Sequence, residues 1–341
     1  MEQGHKIILI RRSIPSLSTT TMEQLHLLIL GAGWTATFLI PLLRARKVPF
    51  EATTRDGRDV AGEPTIRWDF DPRSPDARST IASLPRARCV LVTFPLKGQG
   101  PSRLLVEAYT ATHGTEKRNK EGEEEADEAG NGEANRPSSG ARFIQLGSTG
   151  IWRQPGEGDA SAPWMTRRSA YDKADARAVA EDELLSLGGC VLELAGLWGG
   201  ARDPRHWVDR VGGSKEAVRA KTSLHMVHGL DVARAIIAVA GAGDDKWSRA
   251  AAGQRWMLTD GFVYDWWALF AGWADGGRTG GEDGDGDGID VRPRQQATWV
   301  FELMAENQVR ALPRPMGQLG RCYDSREFWA TFGLVPVKAR V

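Results

Sequence analysis

Residues Leu25–Arg55, LHLLILGAGWTATFLIPLLRARKVPFEATTR, constrain the fold of this chain more than any other stretch. An apolar run, Leu25–Leu30, meets a glycine turn and then an amphipathic segment centred on Phe38–Leu43. A second apolar run, Phe50–Thr54, follows. The order is strand, turn, helix, strand, and Gly31, Gly33 and Ala36 sit in it with the G-x-G-x-x-G/A spacing of a dinucleotide site. Gly31 permits the tight turn, Gly33 lets backbone approach a pyrophosphate, and Ala36 lets helix and strand pack closely. Trp34 and Thr35 open the helix, whose free N–H groups and dipole attract phosphate. In a chain with 39 glycines the triplet alone would carry little. Its setting between two apolar segments gives it weight.

The end of the second strand points to the cofactor. An acidic residue there accepts from a ribose 2′-OH, whereas arginine holds a 2′-phosphate. The strand ends in Thr54-Arg55, with Arg58 just beyond, which favours NADP. A one-residue shift would put Asp56 in the same place, so NAD remains the second choice.

Net charge is +0 over 341 residues, so no global field draws the chain to nucleic acid or to an anionic membrane. No apolar run approaches the ~20 residues of a membrane-spanning helix. Cys89, Cys190 and Cys322 are widely spaced, which fits neither a disulfide framework nor a metal site and suggests a reducing, cytoplasmic setting. Lys6, Arg11 and Arg12 among many hydroxyls give residues 1–21 a faint likeness to a mitochondrial presequence. A disordered extension, 1–24, is the preferred account.

Further along, Arg88–Pro95, Arg142–Leu146 and Val191–Leu197 read as buried strands, and Leu104–Thr112, Ala174–Leu187 and Val232–Ala240 as helices. This alternation predicts an α/β fold with a doubly wound parallel sheet covered on both faces. Gly114–Gly140, centred on Glu123-Glu124-Glu125, is too polar to bury a core and reads as a disordered acidic insertion. Gly199–Thr222 and the chain from 241 to the end read as a small, irregular carboxyl-terminal substrate lobe, so the dinucleotide domain is expected over 25–240. Within the lobe, Val263, Trp266, Trp267 and Phe270 share one helical face. Gly276–Asp290 holds Asp283, Asp285, Asp287 and Gly288, the first half of a calcium loop. Its twelfth position is Arg294 instead of Glu, so a flexible loop is expected and no metal.

Taken in order, Gly31-Ala32-Gly33, Arg55, Thr93-Phe94-Pro95, Gly147-Ser148-Thr149-Gly150-Ile151-Trp152 and His228-Gly229-Leu230-Asp231-Val232-Ala233 resemble an atypical short-chain dehydrogenase/reductase, of the NAD-dependent epimerase/dehydratase branch. The resemblance covers roughly Leu25 to Ala240. It implies a Rossmann domain binding NAD(P), with Thr93, Phe94 and Pro95 beside the cofactor, and a variable substrate lobe. In catalytic members a Ser or Thr holds the reacting oxygen while the Tyr of a Tyr-x-x-x-Lys pair moves the proton. Ser148 falls on the first position, with Thr149 its neighbour.

The Tyr-x-x-x-Lys pair is missing. Tyr171 is followed four residues later by Asp175, and aligning the helix by Ala180-Glu181 puts Lys173 and Arg177 in the two slots. Either Tyr171 reaches the site from a non-helical approach, or Lys173 does the proton chemistry, or the pair is absent and Arg177 only holds the cofactor. Trp34, Trp152, Trp198 and Trp207 are expected to line the cleft and to favour a flat or apolar substrate. The expected protein is an NADP(H)-dependent oxidoreductase or epimerase acting on a small carbonyl or hydroxyl compound. The alternative is a non-catalytic NADP-binding sensor or interaction protein.

Overall fold

The computed structural model describes residues 25–114, 140–152, 164–274 and 293–339. The amino-terminal extension, most of the acidic insertion and the calcium-like segment lie outside the described residues.

Seven parallel strands form the central sheet: β1 Leu25–Leu30, β2 Phe50–Thr54, β3 Ile66–Arg67, β4 Ala87–Val92, β5 Arg142–Ser148, β6 Cys190–Leu194 and β7 Gln254–Leu258. Their order is β7-β6-β5-β4-β1-β2-β3, the doubly wound arrangement in which the chain reverses direction beside β1. Strand alternation divides the apolar residues between the two faces. Leu27 and Ile29 pack under α1 (Trp34–Ala45) and the helix Gly229–Ala240. Leu28 and Leu30 pack under α2 (Ala77–Ala82), α3 (Pro101–His113) and α4 (Ala176–Ser186). At about 25 cal/mol per Å2 of apolar surface, these two layers dominate the stability of the domain.

The structure moves two boundaries. The outermost strand β7 lies within the stretch assigned to the lobe, and the helix Arg326–Phe332 packs on the same core as β7. Arg255 interrupts its apolar pattern, and that charge is tolerated only because two buried glutamates meet it. Helix α4 begins at Ala176, because the Asp175 carboxylate caps it by accepting from the N–H groups of Arg177 (2.8 Å) and Ala178 (3.3 Å). Lys173 therefore precedes the helix and does not share a helical face with Arg177 and Glu181.

A separate apolar cluster, including Val208, Val218, Trp267, Phe270, Val300 and Leu303, lies outside the sheet cores. Trp266 and Trp267 are buried as expected, but their helix starts at Trp266, capped by Asp265, and leaves Val263 outside. Among the described residues no helix is long and apolar enough to cross a membrane.

Candidate functional site

The glycine turn is tied to both strands beside β1. Gly31 N–H donates to Thr53 Oγ1 (3.1 Å) and Ala32 N–H to the Thr53 carbonyl (2.6 Å). On the other side the Thr93 hydroxyl donates to the carbonyls of Leu30 and Gly31. Gly31 has φ +82°, and a Cβ there would stand 2.8 Å from Phe94 Cδ1. Gly33, at the start of α1, faces open space: a Cβ would meet only the Gly31 carbonyl oxygen, at 3.8 Å. Backbone N–H groups at the helix start are thereby bared toward whatever fills the cleft.

That cleft is a cavity of about 640 Å3 over the carboxyl ends of the strands. Gly31, Gly33, Trp34 and Thr35 line its floor, with Thr54 and Arg55 at one end and Thr93, Phe94 and Pro95 along one wall. Arg177 lines the same cavity. Ala36 is the exception among the residues expected to hold a cofactor: it is fully buried in the core, as close packing of helix on strand requires.

Sequence reasoning missed part of this wall. Trp68 and Phe70 stack with ring centroids 6.0 Å apart, and Phe94 leans against both, giving a flat aromatic surface. The available signal was the pair of aromatics, Trp68 and Phe70, that directly follows β3 at the end of the sheet where the cleft lies. Arg67 on β3 joins Arg55 and Arg58 around a shallow extension of the cavity, where Asp56 is the one carboxylate in the lining. Asp56 accepts from Arg58 Nη1 at 2.9 and 3.0 Å, and that guanidinium holds its carboxyl below the usual carboxylate range. Three guanidiniums against two carboxylates, Asp56, already engaged, and Asp69 on the main cavity, leave this corner positive.

No family model matches the sequence, and no curated protein matches it. Similar folds are found among solved structures. One is a short-chain dehydrogenase/reductase superfamily protein from Agrobacterium tumefaciens with bound NAD, 11% identical, TM-score 0.53, over 92% of this chain and 93% of that chain. Another is UDP-glucose 4-epimerase from Bifidobacterium longum in complex with NAD+ and UDP, 12% identical, TM-score 0.52, over 92% and 94%. A functionally unknown conserved protein from Silicibacter pomeroyi is 15% identical, TM-score 0.53, over 92% and 94%. What the chain shares with these structures is the fold, a doubly wound parallel sheet with helices on both faces.

Against that fold, the residues expected to be catalytic separate into two groups. Ser148 is half-buried and lines a second cavity adjoining the first; its Oγ accepts from Gly150 N–H at 3.2 Å, leaving the hydroxyl proton free to donate. Thr149 is buried, and its hydroxyl turns back to the Leu194 carbonyl at 3.4 Å. Tyr171 lines neither cavity: its hydroxyl donates to Asp182 Oδ1 at 2.6 Å, and its ring lies between Trp152 and the Arg255 guanidinium. Burial, with Asp182 as acceptor, raises its pKa, the reverse of the activation a proton-transferring tyrosine needs. Lys173 is exposed and also lines neither cavity. Of the four tryptophans expected in the cleft, only Trp34 and Trp207 line it. Trp152 is fully buried, donating to the Ser169 carbonyl, and Trp198 packs on His228. His228 itself caps the helix Gly229–Ala240 through Nδ1.

Directly behind Gly147 lies a buried charge cluster. Arg255 donates to Glu193 Oε1 (2.6 Å), Glu181 Oε2 (3.3 Å) and Asp182 Oδ1 (3.1 Å). The remaining oxygens, Glu181 Oε1 and Glu193 Oε2, have no donor and converge behind the glycine: a Cβ on Gly147 would fall 2.8 and 2.1 Å from them. One proton shared between the two carboxyls satisfies both. Burial, and the second carboxyl nearby, push Glu181 up to about 9, and burial raises Glu193 as well.

Proposed function

We propose that this protein binds NADP(H) and belongs to the short-chain dehydrogenase/reductase or epimerase class, acting on a small carbonyl or hydroxyl compound. The observation that carries this reading is the cleft itself. A positive-φ glycine and a bare helix start lie beneath it, a cluster of arginines stands at the end of β2, and Ser148 lies beyond the other end. In this reading the pyrophosphate rests on the N–H groups of α1, and the adenine lies against the wall of Phe94, Trp68 and Phe70. Arg55 and Arg67 take the 2′-phosphate. The Arg177 guanidinium reaches the ribose or phosphate of the nicotinamide half.

A bound nicotinamide would supply or accept a hydride. Ser148 donates a hydrogen bond to the substrate oxygen, and Arg177 stabilises negative charge developing there. Arginine does not release its proton at ordinary pH, so proton transfer falls to water in the open cleft. One observation favours the second reading, a dinucleotide-binding sensor or interaction protein without turnover: the Tyr171 hydroxyl is committed to Asp182. Tight NADPH binding with no turnover on a panel of carbonyl compounds would support that alternative.

The cofactor assignment is tested by fluorescence titration with NADPH and NADH. A hydrogen bond to a charged group contributes about 1.5–3 kcal/mol, so NADPH should bind at least about tenfold more tightly. The Arg55→Ala variant should lose most of that preference and keep its NADH affinity. Equal affinities in the native protein would overturn the NADP assignment.

A further inference from the structure

The second cavity, about 500 Å3, opens from the dinucleotide cleft and shares Gly147, Leu194, Leu197, Arg177 and Arg202 with it; of the two, Ser148, Trp207 and Arg210 line only the second cavity. Its ionisable side chains are Arg177, Arg202 and Arg210, and no carboxylate lines it. Among the described residues, no carboxylate oxygen lies within 4.0 Å of these three guanidiniums. The acids nearest in sequence are engaged elsewhere. Asp203 accepts from Arg205 Nε at 2.9 and 3.1 Å, and Asp209 accepts from Gln296 at 3.2 Å. Arg202 is fixed without an acid: its guanidinium lies 4.4 Å over the Trp34 ring, and its backbone pairs with Gly199 in both directions. Trp34 in turn donates from Nε1 to the Gly199 carbonyl at 3.1 Å. Stacking on an aromatic face leaves the edge N–H donors of Arg202 available.

We propose that this cavity is an oxyanion subsite that takes a carboxylate or phosphate group of the substrate beside Ser148. Three positive charges on one cavity repel one another, and among the described residues none of the three is held in an ion pair, whereas a bound oxyanion neutralises them and accepts paired N–H bonds. The arrangement replaces the apolar substrate expected from the tryptophans with an anionic one. The reaction at Ser148 rests on the dinucleotide reading above; binding of the anion does not.

The test titrates the full-length protein with inorganic phosphate and with malonate at constant ionic strength, by calorimetry, with and without saturating NADP+. At least one probe should bind in both conditions, and Arg210→Ala should weaken it about tenfold or more. Arg210→Lys, which keeps the charge and loses the fork, should fall between. Arg210 lines only the second cavity, so NADPH affinity should be the same in all three proteins. Binding of phosphate alone identifies a phosphate-bearing substrate, and binding of malonate alone a carboxylate. Equal probe affinity in native protein and Arg210→Ala, or complete displacement of both probes by NADP+, overturns the subsite. If NADPH fails to bind while probe binding still depends on Arg210, the dinucleotide reading falls and the subsite stands.

Discussion

The proton shared by Glu181 and Glu193 has a thermodynamic signature that can be isolated. In the unfolded chain Glu181 titrates near 4.5; in the folded protein burial and Glu193 raise it to about 9. A folded-state pKa above the unfolded value means that the native protein holds a proton the unfolded chain has released. The resulting stability is complete below about 4.5 and is lost as pH rises through the raised value. Each such proton makes unfolding free energy fall by about 1.4 kcal/mol per pH unit. Of the other groups, Glu193 is raised by burial too and is kept in both proteins compared, so only the difference between them is read over the upper part of this window. Asp260, raised by burial to about 6, titrates below it. His225 is pushed by burial down to about 3 from 6.5, so it costs stability only as pH falls below 6.5. Replacing Glu181 with Gln removes the shared proton while keeping a donor for Glu193. Unfolding in urea, followed by tryptophan fluorescence between about pH 6.5 and 8.5, should show native stability declining by up to about 2.7 kcal/mol more than that of Glu181→Gln. Parallel curves for the two proteins would refute the shared proton and with it the account of the cluster behind Gly147.

Two further substitutions test the site. Tyr171→Phe should cost about 1 kcal/mol through the lost Asp182 hydrogen bond and leave NADPH affinity and any turnover unchanged; a fall in kcat of a hundredfold or more would restore this hydroxyl to the chemistry. Gly31→Ala should cost about 1–2 kcal/mol for the left-handed backbone alone, and its Cβ, 2.8 Å from Phe94 Cδ1, should displace that ring from the cleft wall. Both the urea midpoint and NADPH affinity should drop, and native-like values of the two would refute the turn geometry.

The contrast between the legible and illegible halves of the cleft follows from how each is closed. The half over the glycine turn is local: strand β1, the turn and α1 are contiguous, so periodicity and one spacing rule pointed to Gly31, Gly33, Trp34 and Thr35, which line its floor. The end of β2 was equally readable, since Arg55 follows directly from the apolar run Phe50–Thr54. The half around Ser148 has no such local closure. Arg177 comes from the start of α4, Arg202 from a bridged turn after β6, and Arg210 from the short helix Val208–Val211. Only tertiary packing brings them to one cavity, and each alone looks like a solvated surface charge. Strand β7 was illegible for a related reason. Arg255 breaks its apolar pattern, and the partners that permit burial, Glu181 and Glu193, lie on α4 and β6. The same cluster decides Tyr171. The resemblance offered it, as the one tyrosine nearby, for the proton donor, but Asp182 on α4 and Arg255 from β7 hold its ring and hydroxyl away from the cleft. A lone tyrosine near a helix start therefore says little until the acids of that helix have been assigned partners. Here Arg255 occupies Glu181 and Asp182, the N–H groups of Gly100 and Arg103 occupy Glu183, and the positive charge that remains beside Ser148 comes from Arg177, Arg202 and Arg210.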